Sequence, residues 1–126
     1  MKINARKGLR AVTFSANGEH LLSGGRDENI EVWQVQDGQR LATMETIKAE
    51  DVRCLAVSKN GKWIARGVLR GDVSVCDAET YEAVWKRREH SYVNAVDFSP
   101  DSTRLVSGLW NGTATIWDVA SGKKVR

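Results

Sequence analysis

Short runs of alternating apolar and polar residues follow one another about every ten positions, separated by turn residues. In the first 45 residues they cover roughly 9–15, 20–24, 29–34 and 39–44, and they are rich in β-branched and aromatic side chains. Such runs are typical of consecutive antiparallel strands. No window of helical length carries apolar residues at 3.6 spacing. The pattern therefore predicts an all-β chain.

Turn residues between the runs support this prediction. Asn17-Gly18 and Asn60-Gly61 supply residues that tolerate a positive φ, and Ser99-Pro100-Asp101 favours a different turn type. Each of these turns follows the first run of a unit, so the first two strands of every unit are predicted to form a hairpin.

The whole pattern occurs three times. The first run of each copy ends at a serine, namely Ser15, Ser58 and Ser99, and these serines lie 43 and 41 positions apart. A glycine follows each serine after nine positions. A period of this length indicates a propeller, a solenoid or an array, and four-stranded antiparallel units set side by side are propeller blades. We therefore predict three four-stranded blades in one unit over 1–126, with repeats at about 1–45, 46–87 and 88–126.

The end of the third run in each copy suggests a known family. Ile116-Trp117-Asp118, Val32-Trp33-Gln34 and Val75-Cys76-Asp77 resemble the Trp-Asp signature of WD-repeat β-propellers. Phe98-Ser99-Pro100-Asp101 also resembles a WD-repeat motif, and Arg104-Leu105-Val106-Ser107-Gly108 is similar to fungal arrays of these repeats. The resemblance covers essentially the whole chain.

The resemblance implies a buried hydrogen-bonded set of Trp, Ser or Thr, His and Asp in each blade. By position, the third repeat supplies His90, Ser107 and Trp117, with Asn111 in the Asp slot. The first repeat supplies Ser23, Asp27 and Trp33, with Arg6 in the His slot. The slots of the second repeat hold Ala49, Arg66, Arg70 and Cys76. We therefore expect the second blade to lack the network and to be the weakest of the three.

Catalytic chemistry is not indicated. His90 and Ser107 superficially resemble a nucleophilic pair, but Ser107 lies in no Gly-x-Ser-x-Gly elbow and the resemblance explains both residues as structural. The only other histidine is His20, so a histidine-based metal site has too few ligands. We predict a protein that is not an enzyme and has no metal or cofactor, with a hydrolase as the least favoured hypothesis.

Composition is that of an ordinary globular protein. Hydrophobic residues make up 41% and charged residues 28%, and no apolar run is long enough to span a membrane. The net charge of +3 is too small to indicate nucleic-acid binding. Met1-Lys2-Ile3-Asn4 is followed by no apolar signal segment, and Cys54 and Cys76 are expected to be small buried hydrophobes in a reducing compartment. We predict a cytoplasmic protein, with the nucleus as the alternative.

Function is expected to depend on a surface. The resemblance implies a scaffold whose protein or peptide partner contacts the start of the innermost strand and the residue before the Asp slot. Those positions hold Arg10, Arg26, Asp51, Arg53, Leu69, Tyr92, Asn94 and Trp110. Aromatic and arginine residues are the types that dominate binding energy, and the arginines suit an acidic or phosphorylated peptide. The alternative for Tyr92 and Trp110 is that they cover apolar surface between blades.

Three blades leave two apolar faces to be covered. Propellers close with four to eight blades, each packed between two neighbours. The missing neighbours are either other blades of a longer protein, which we favour, or copies of the same chain that close a ring. The alternative function is therefore a structural one, a self-assembling homo-oligomer.

Overall fold

The computed structural model describes residues 2–5, 8–26, 29–44 and 51–126. Within these residues the regular secondary structure is eleven β-strands, with no helix, so the all-β prediction is confirmed. The strands are β1 Leu9–Phe14, β2 His20–Gly25, β3 Ile30–Gln34, β4 Arg40–Met44, β5 Val52–Val57, β6 Trp63–Val68, β7 Asp72–Asp77, β8 Ala83–Arg88, β9 Val93–Phe98, β10 Arg104–Leu109 and β11 Ala114–Asp118. The four strands predicted for the first repeat agree with β1–β4 to within one residue at each end.

The strands form three antiparallel sheets, in which each strand pairs with the next along the chain. Blade 1 is β1–β4, blade 2 is β5–β8 and blade 3 is β9–β11. The prediction of four strands is wrong for blade 3. Residues 123–126 run beside β11, with the Val125 N–H donating to Ile116 O at 2.7 Å, but they form only the isolated bridge Trp117–Lys124. One bridge is too short a ladder to make a strand.

The hairpin between the first two strands of each blade has the same polar turn. In blade 1 the Ser15 hydroxyl donates to Asn17 Oδ1 at 2.8 Å, and the His20 N–H donates back to Ser15 Oγ at 3.0 Å. Ser58 and Asn60 repeat this arrangement in blade 2, as do Ser99 and Asp101 in blade 3. Short polar side chains that bond the nearby backbone favour turns. The Ser-x-Asn/Asp sequence therefore sets the hairpin in every blade.

The hydrophobic core consists of two layers, one on each side of blade 2. Successive side chains of a strand point to opposite faces, so the middle sheet is buried on both. One layer lies between blades 1 and 2 and contains Leu22, Ile30, Val32, Met44, Val52, Ile64, Val68 and Cys76. The other lies between blades 2 and 3 and contains Cys54, Ala56, Ala65, Val73, Val75, Trp85, Val93, Phe98, Leu105, Trp117 and Val119.

Close contact between neighbouring blades depends on glycines in the second strand. A Cβ added at Gly24 would lie 3.0 Å from Cγ1 of Val52, and one added at Gly67 would lie 2.5 Å from Cγ1 of Val93. Each of these valines begins the innermost strand of the following blade. Gly67 therefore forms a socket that a Cβ would block, and Gly24 forms an equivalent socket in which a Cβ would press tightly against Val52.

Candidate functional site

The predicted partner-contacting residues lie along one edge of the three sheets. Because the first two strands of a blade are antiparallel, the start of one lies beside the end of the other. A backbone hydrogen bond ties the two positions together in each blade, from Arg26 N to Gly8 O, from Leu69 N to Asp51 O and from Trp110 N to Tyr92 O, at 3.2, 2.9 and 2.9 Å. We call this edge the rim. Its three equivalent bonds give the three blades the same rim geometry.

Four of the eight predicted residues line one open cleft on the rim. Arg10, Arg53, Asn94 and Trp110, together with Leu9, surround a volume of about 420 Å³. Arg10, Arg53 and Asn94 occupy equivalent positions in the three repeats, so the cleft spans all three blades.

The other four predicted residues lie on the rim without lining this cleft. They are Arg26, Asp51, Leu69 and Tyr92. Arg26 and Tyr92 are exposed, whereas Asp51 and Leu69 are half-buried.

Charge on the rim is partly neutralised. Nε of Arg10 lies 3.1 Å from Oδ1 of Asp51, which joins blade 1 to blade 2 by an ion pair. This Asp51 oxygen is buried and accepts no hydrogen bond from the residues described, so the contact is electrostatic without hydrogen-bond geometry. Arg26 and Arg53 make no ion pair with any residue of the described ranges. The cleft is therefore positively charged through Arg53.

Two aromatic rings stand on the rim of blade 3. Tyr92 is 53% exposed and Trp110 is 73% exposed. Rings that packed between blades would be covered, as Trp85 and Trp117 are at 6% and 5%. The exposure of Tyr92 and Trp110 favours the interpretation that they are contact residues over the alternative that they are packing residues.

A buried tryptophan–serine pair crosses strands in two of the blades. In blade 1 the Trp33 indole N–H donates to Ser23 Oγ at 2.9 Å. In blade 3 the Trp117 indole N–H donates to Ser107 Oγ at 3.0 Å. Asp27, assigned to the same network, lies outside the described residues.

The third member of the blade 3 network is Glu89, and the assignment of His90 was wrong. The Ser107 hydroxyl donates to Glu89 Oε1 at 2.9 Å, and the Thr115 hydroxyl donates to Oε2 at 3.3 Å. Glu89 is buried, whereas His90 is exposed because neighbouring residues of an extended chain point in opposite directions. With Ser107 bonded to Trp117 and Glu89, and His90 exposed, these two residues do not form a nucleophilic pair.

Asn111 also lies outside this network, contrary to the prediction. It is exposed, and its Oδ1 accepts bonds from the Thr113 N–H at 3.1 Å and the Thr113 hydroxyl at 2.6 Å. These bonds close the turn between β10 and β11, which is what a short amide side chain does in a tight turn.

Comparison with known proteins now decides the family. The family model of the WD domain, G-beta repeat, matches residues 2–34 and 82–118, more than half of the chain. The chain belongs to the WD-repeat family. The solved WD-repeat structures it resembles include the RRP9 WD40 repeats, with a TM-score of 0.91, 18% identity and coverage of 98% of this chain and 39% of that one. Another is the Cps50 (Swd1) β-propeller domain of Myceliophteria thermophila, with a TM-score of 0.85, 17% identity and coverage of 100% and 40%. The fold is therefore part of a WD-repeat propeller.

Curated WD-repeat relatives are similar over most of this chain. The WD repeat-containing protein SL1-17 of Schistosoma mansoni is 28% identical over 114 residues, which are 90% of this chain and 38% of that protein. The COMPASS component SWD3 of Saccharomyces cerevisiae is 27% identical over an alignment of 128 residues that covers 92% of this chain and 40% of that protein. The small ribosomal subunit protein RACK1 of Schizosaccharomyces pombe is 28% identical over an alignment of 121 residues that covers 88% of this chain and 38% of that protein. The chain thus spans about two fifths of the length of these relatives.

Blade 2 departs from the WD-repeat signature, and the two matched segments leave most of it out. Arg66 takes the position of Ser23 and Ser107, and Cys76 takes the position of the tryptophan. Blade 2 lacks the tryptophan–serine bond of the other two blades, and the Arg66 Nε–H instead donates to Ser74 Oγ at 2.9 Å. The blade replaces the tryptophan–serine bond with an arginine–serine bond between the same two strands.

Both cysteines of this WD-repeat chain are buried in blade 2 and neither forms a disulfide. Burial raises the pKa of the Cys54 thiol from its ordinary value of 9.0 to about 11, and it raises the pKa of the Cys76 thiol as well. Both thiols therefore remain protonated near neutral pH, and protonated thiols are poor nucleophiles.

No group of three or more His, Cys, Asp or Glu side chains is placed to hold a metal ion in the described part of the chain. Over the same residues, no helix has the length and apolar character needed to cross a membrane.

Proposed function

We propose that this chain is a non-catalytic WD-repeat propeller segment that acts as a protein–protein interaction scaffold, with its partner docked on the rim. The observation that carries the proposal is the cleft of Arg10, Arg53, Asn94 and Trp110. Arginine and tryptophan are the residues most enriched among binding hot spots. Relatives whose names place them in assemblies, a COMPASS component and a small ribosomal subunit protein, support the same class of function.

The charge of the cleft favours an acidic or phosphorylated segment as the ligand. Arg53 makes no ion pair in the described ranges, and its guanidinium presents paired donors that match a carboxylate or phosphate. The exposed ring of Trp110 lies on the same cleft and offers an apolar contact to the flanking residue. An anionic group next to an apolar side chain satisfies both features.

The test is binding of three sets of synthetic peptides, acidic, phosphorylated and basic, to the purified chain by fluorescence anisotropy. We expect the acidic and phosphorylated sets to bind and the basic set not to bind. Arg53→Glu and Trp110→Ala are each expected to weaken binding by at least about tenfold, the scale of a hot-spot contact.

Lys59→Glu is the matched control for charge. Lys59 is exposed in the turn between β5 and β6, at the edge of blade 2 opposite the rim, and its replacement changes the net charge as much as Arg53→Glu does. Equal loss of binding in the Lys59 and Arg53 variants, or equal binding of basic peptides, would show that net charge rather than the rim attracts the ligand.

The second candidate function is self-assembly into a closed ring. It is favoured by the apolar side chains that blade 1 leaves exposed, among them Phe14 at 60%.

The cytoplasmic location stays a prediction from the sequence, as do the absence of a cofactor and the absence of nucleic-acid and membrane partners.

A further inference from the structure

Blade 1 exposes an apolar face that its equivalents bury. Leu9, Val12 and Phe14 of β1 are 47%, 57% and 60% exposed, and we call them the leading face. The equivalent residues of the other blades pack in the two core layers: Val52, Leu55 and Val57 against blade 1, and Val93, Val96 and Phe98 against blade 2. In blades 2 and 3, the residues equivalent to the leading face thus contact the blade before them.

Blade 3 exposes the complementary face. The strand register places Asp97, Val106 and Ile116 in one row and Ala95, Gly108 and Ala114 in the next, and we call these rows the trailing face. In blade 2 the first row corresponds to Ala56, Ala65 and Val75, and the second row corresponds to Cys54, Gly67 and Val73. All six residues of blade 2 are buried. Blade 3 covers those residues, whereas Val106 is 37% exposed.

A hollow on the trailing face matches a specific side chain of the leading face. Ser99, Pro100, Arg104, Val106 and Ile116 line an open volume of about 370 Å³. The equivalent residues of blade 1, Ser15, Ala16, His20, Leu22 and Val32, line the cavity between blades 1 and 2, and Val57 forms part of its opposite wall. The equivalent of Val57 in blade 1 is Phe14. The same packing would therefore set Phe14 of a second copy into the hollow.

The glycine sockets give a second match. Gly24 receives Val52 and Gly67 receives Val93, but a Cβ added at Gly108 would meet only Ala95, at 3.9 Å. Leu9 is the equivalent of Val52 and Val93. The socket at Gly108 is therefore unfilled within one copy. Leu9 is an apolar side chain in the position that fills the equivalent sockets.

We infer that the leading face of one copy packs on the trailing face of a second copy, and that two copies close head to tail into a six-blade ring. Each contact would reproduce the two blade interfaces already inside the chain, and six blades fall within the range in which propellers close. This inference deepens the self-assembly candidate, and it does not require that the rim bind a ligand.

Light scattering coupled to size exclusion tests the ring. The wild-type chain is expected to give about 28 kDa, twice the 14.0 kDa of one chain, and to dissociate on dilution without larger species. Phe14→Glu on the leading face and Val106→Lys on the trailing face are each expected to give 14.0 kDa. Both side chains are exposed within one copy, so circular dichroism is expected to show folded variants.

Mixing the two variants separates head-to-tail contact from other geometries. In an equimolar mixture, the carboxylate introduced by Phe14→Glu faces the ammonium introduced by Val106→Lys, while the other interface of the ring is wild-type. The mixture is therefore expected to return to about 28 kDa. Failure to recover a dimer, with each variant alone monomeric, would overturn the head-to-tail arrangement.

Val84→Lys is the matched control. Val84 is also an exposed apolar residue, at 45%. Blade 2 already has a neighbour on each side, so the position of Val84 is not covered when blades pack together. Its replacement should leave the dimer intact. A 14.0 kDa wild-type chain at the highest concentration, or a mass that grows without limit, would overturn the closed ring.

Asp97 offers a gain-of-function test. It is the one charged residue in the two rows of the trailing face, and its equivalent in blade 2 is the buried Ala56. Burying a carboxylate is costly, so Asp97→Ala is expected to lower the dissociation constant of the dimer by at least about tenfold. Unchanged association in this variant would place the interface elsewhere.

Discussion

Single polar side chains inside the blades determine how the strands are joined. Ser107 accepts a bond from Trp117 and donates one to Glu89, and all three residues are buried. Removing the hydroxyl would leave a buried carboxylate and a buried indole N–H without that partner, which costs more than the bond itself contributes. The network is therefore a stability element of blade 3.

Replacing Ser107 by alanine is expected to lower the free energy of unfolding by about 2 kcal/mol, the cost of stranded buried polar groups. His90→Ala is expected to stay within about 0.5 kcal/mol of wild type, because exposed side chains away from such features contribute little. Urea unfolding followed by circular dichroism measures both. If the two substitutions lowered the free energy of unfolding equally, His90 would have to belong to the hydrogen-bonded network of Ser107.

The side chain of Asp101 makes the stability of the chain depend on pH under acidic conditions. Bonds from Ser99 Oγ and from Thr103 lower the pKa of Asp101 from 3.8 to about 2. Since the folded-state pKa is depressed, the stabilisation is present above about pH 4 and is lost as the pH falls towards 2.

The equivalent turns carry Asn17 and Asn60, so Asp101→Asn is expected to keep the turn but to remove its share of this pH dependence. Urea midpoints measured at pH 5, 4, 3 and 2 compare the two chains. Parallel curves for wild type and variant would show that the Ser99 bond does not hold the carboxylate in its charged form.

At the scale of elements, blade 2 combines an unusual sequence with the most enclosed position. Its signature residues are replaced by Arg66 and Cys76, which led us to expect the weakest blade. Yet it lies between the two core layers and has its own bond from Arg66 to Ser74. Burial on both faces favours late opening.

Cys54 and Cys76 allow a direct measurement of this opening. Labelling with a thiol reagent at pH 8 is expected to proceed only at the rate of global unfolding, because both thiols are buried and their pKa values are raised. A variant carrying Val84→Cys, at an exposed position of the same blade, is the rapidly labelled control. Fast labelling of the native thiols in buffer would show that blade 2 opens alone, as its sequence suggested.

The same thiols give a pH dependence of opposite sign to that of Asp101. Their folded-state pKa is raised, for Cys54 from 9.0 to about 11, so the folded state keeps its protons longer than the unfolded one. Stability from this source is present below about pH 9 and is lost as the pH rises towards 11. The urea midpoint of the chain is therefore expected to fall between pH 9 and pH 11, and to fall less in a variant with Cys54 replaced by alanine.

At the scale of the whole molecule, repetition made most of the fold predictable. The strands of the first repeat and the order of the blades follow from the repeat period and from the apolar runs. The same pattern recurs in each repeat, so it predicts a similar backbone in each blade. The Glu89 bond was not predictable in the same way. Glu89 and His90 are adjacent and both polar, and only the direction of the chain entering β9 decides which one faces inward. Likewise, nothing in the identity of Arg66 showed that its side chain would reach Ser74.

The location of the rim residues was predictable from the sequence, whereas their contacts were not. Repeat spacing placed Arg10, Arg53 and Asn94 at equivalent points, and the structure gathers them with Trp110 in one cleft. The ion pair between Arg10 and Asp51 depends on the relative placement of two blades, which no single repeat encodes. That placement pairs Arg10 with Asp51 and leaves Arg53 as the cleft arginine without an ion pair among the residues described.

Two buried tryptophan rings meet at the boundary between blades 2 and 3. The rings of Trp85 in blade 2 and Trp117 in blade 3 lie 5.7 Å apart between centroids, and the Trp85 N–H donates to Val119 O at 2.7 Å across the same boundary. Two indoles at this distance couple their electronic transitions, and the coupled signal vanishes when either ring moves away. The molecule therefore carries an intrinsic optical probe for the docking of its last two blades, separate from the folding of either one.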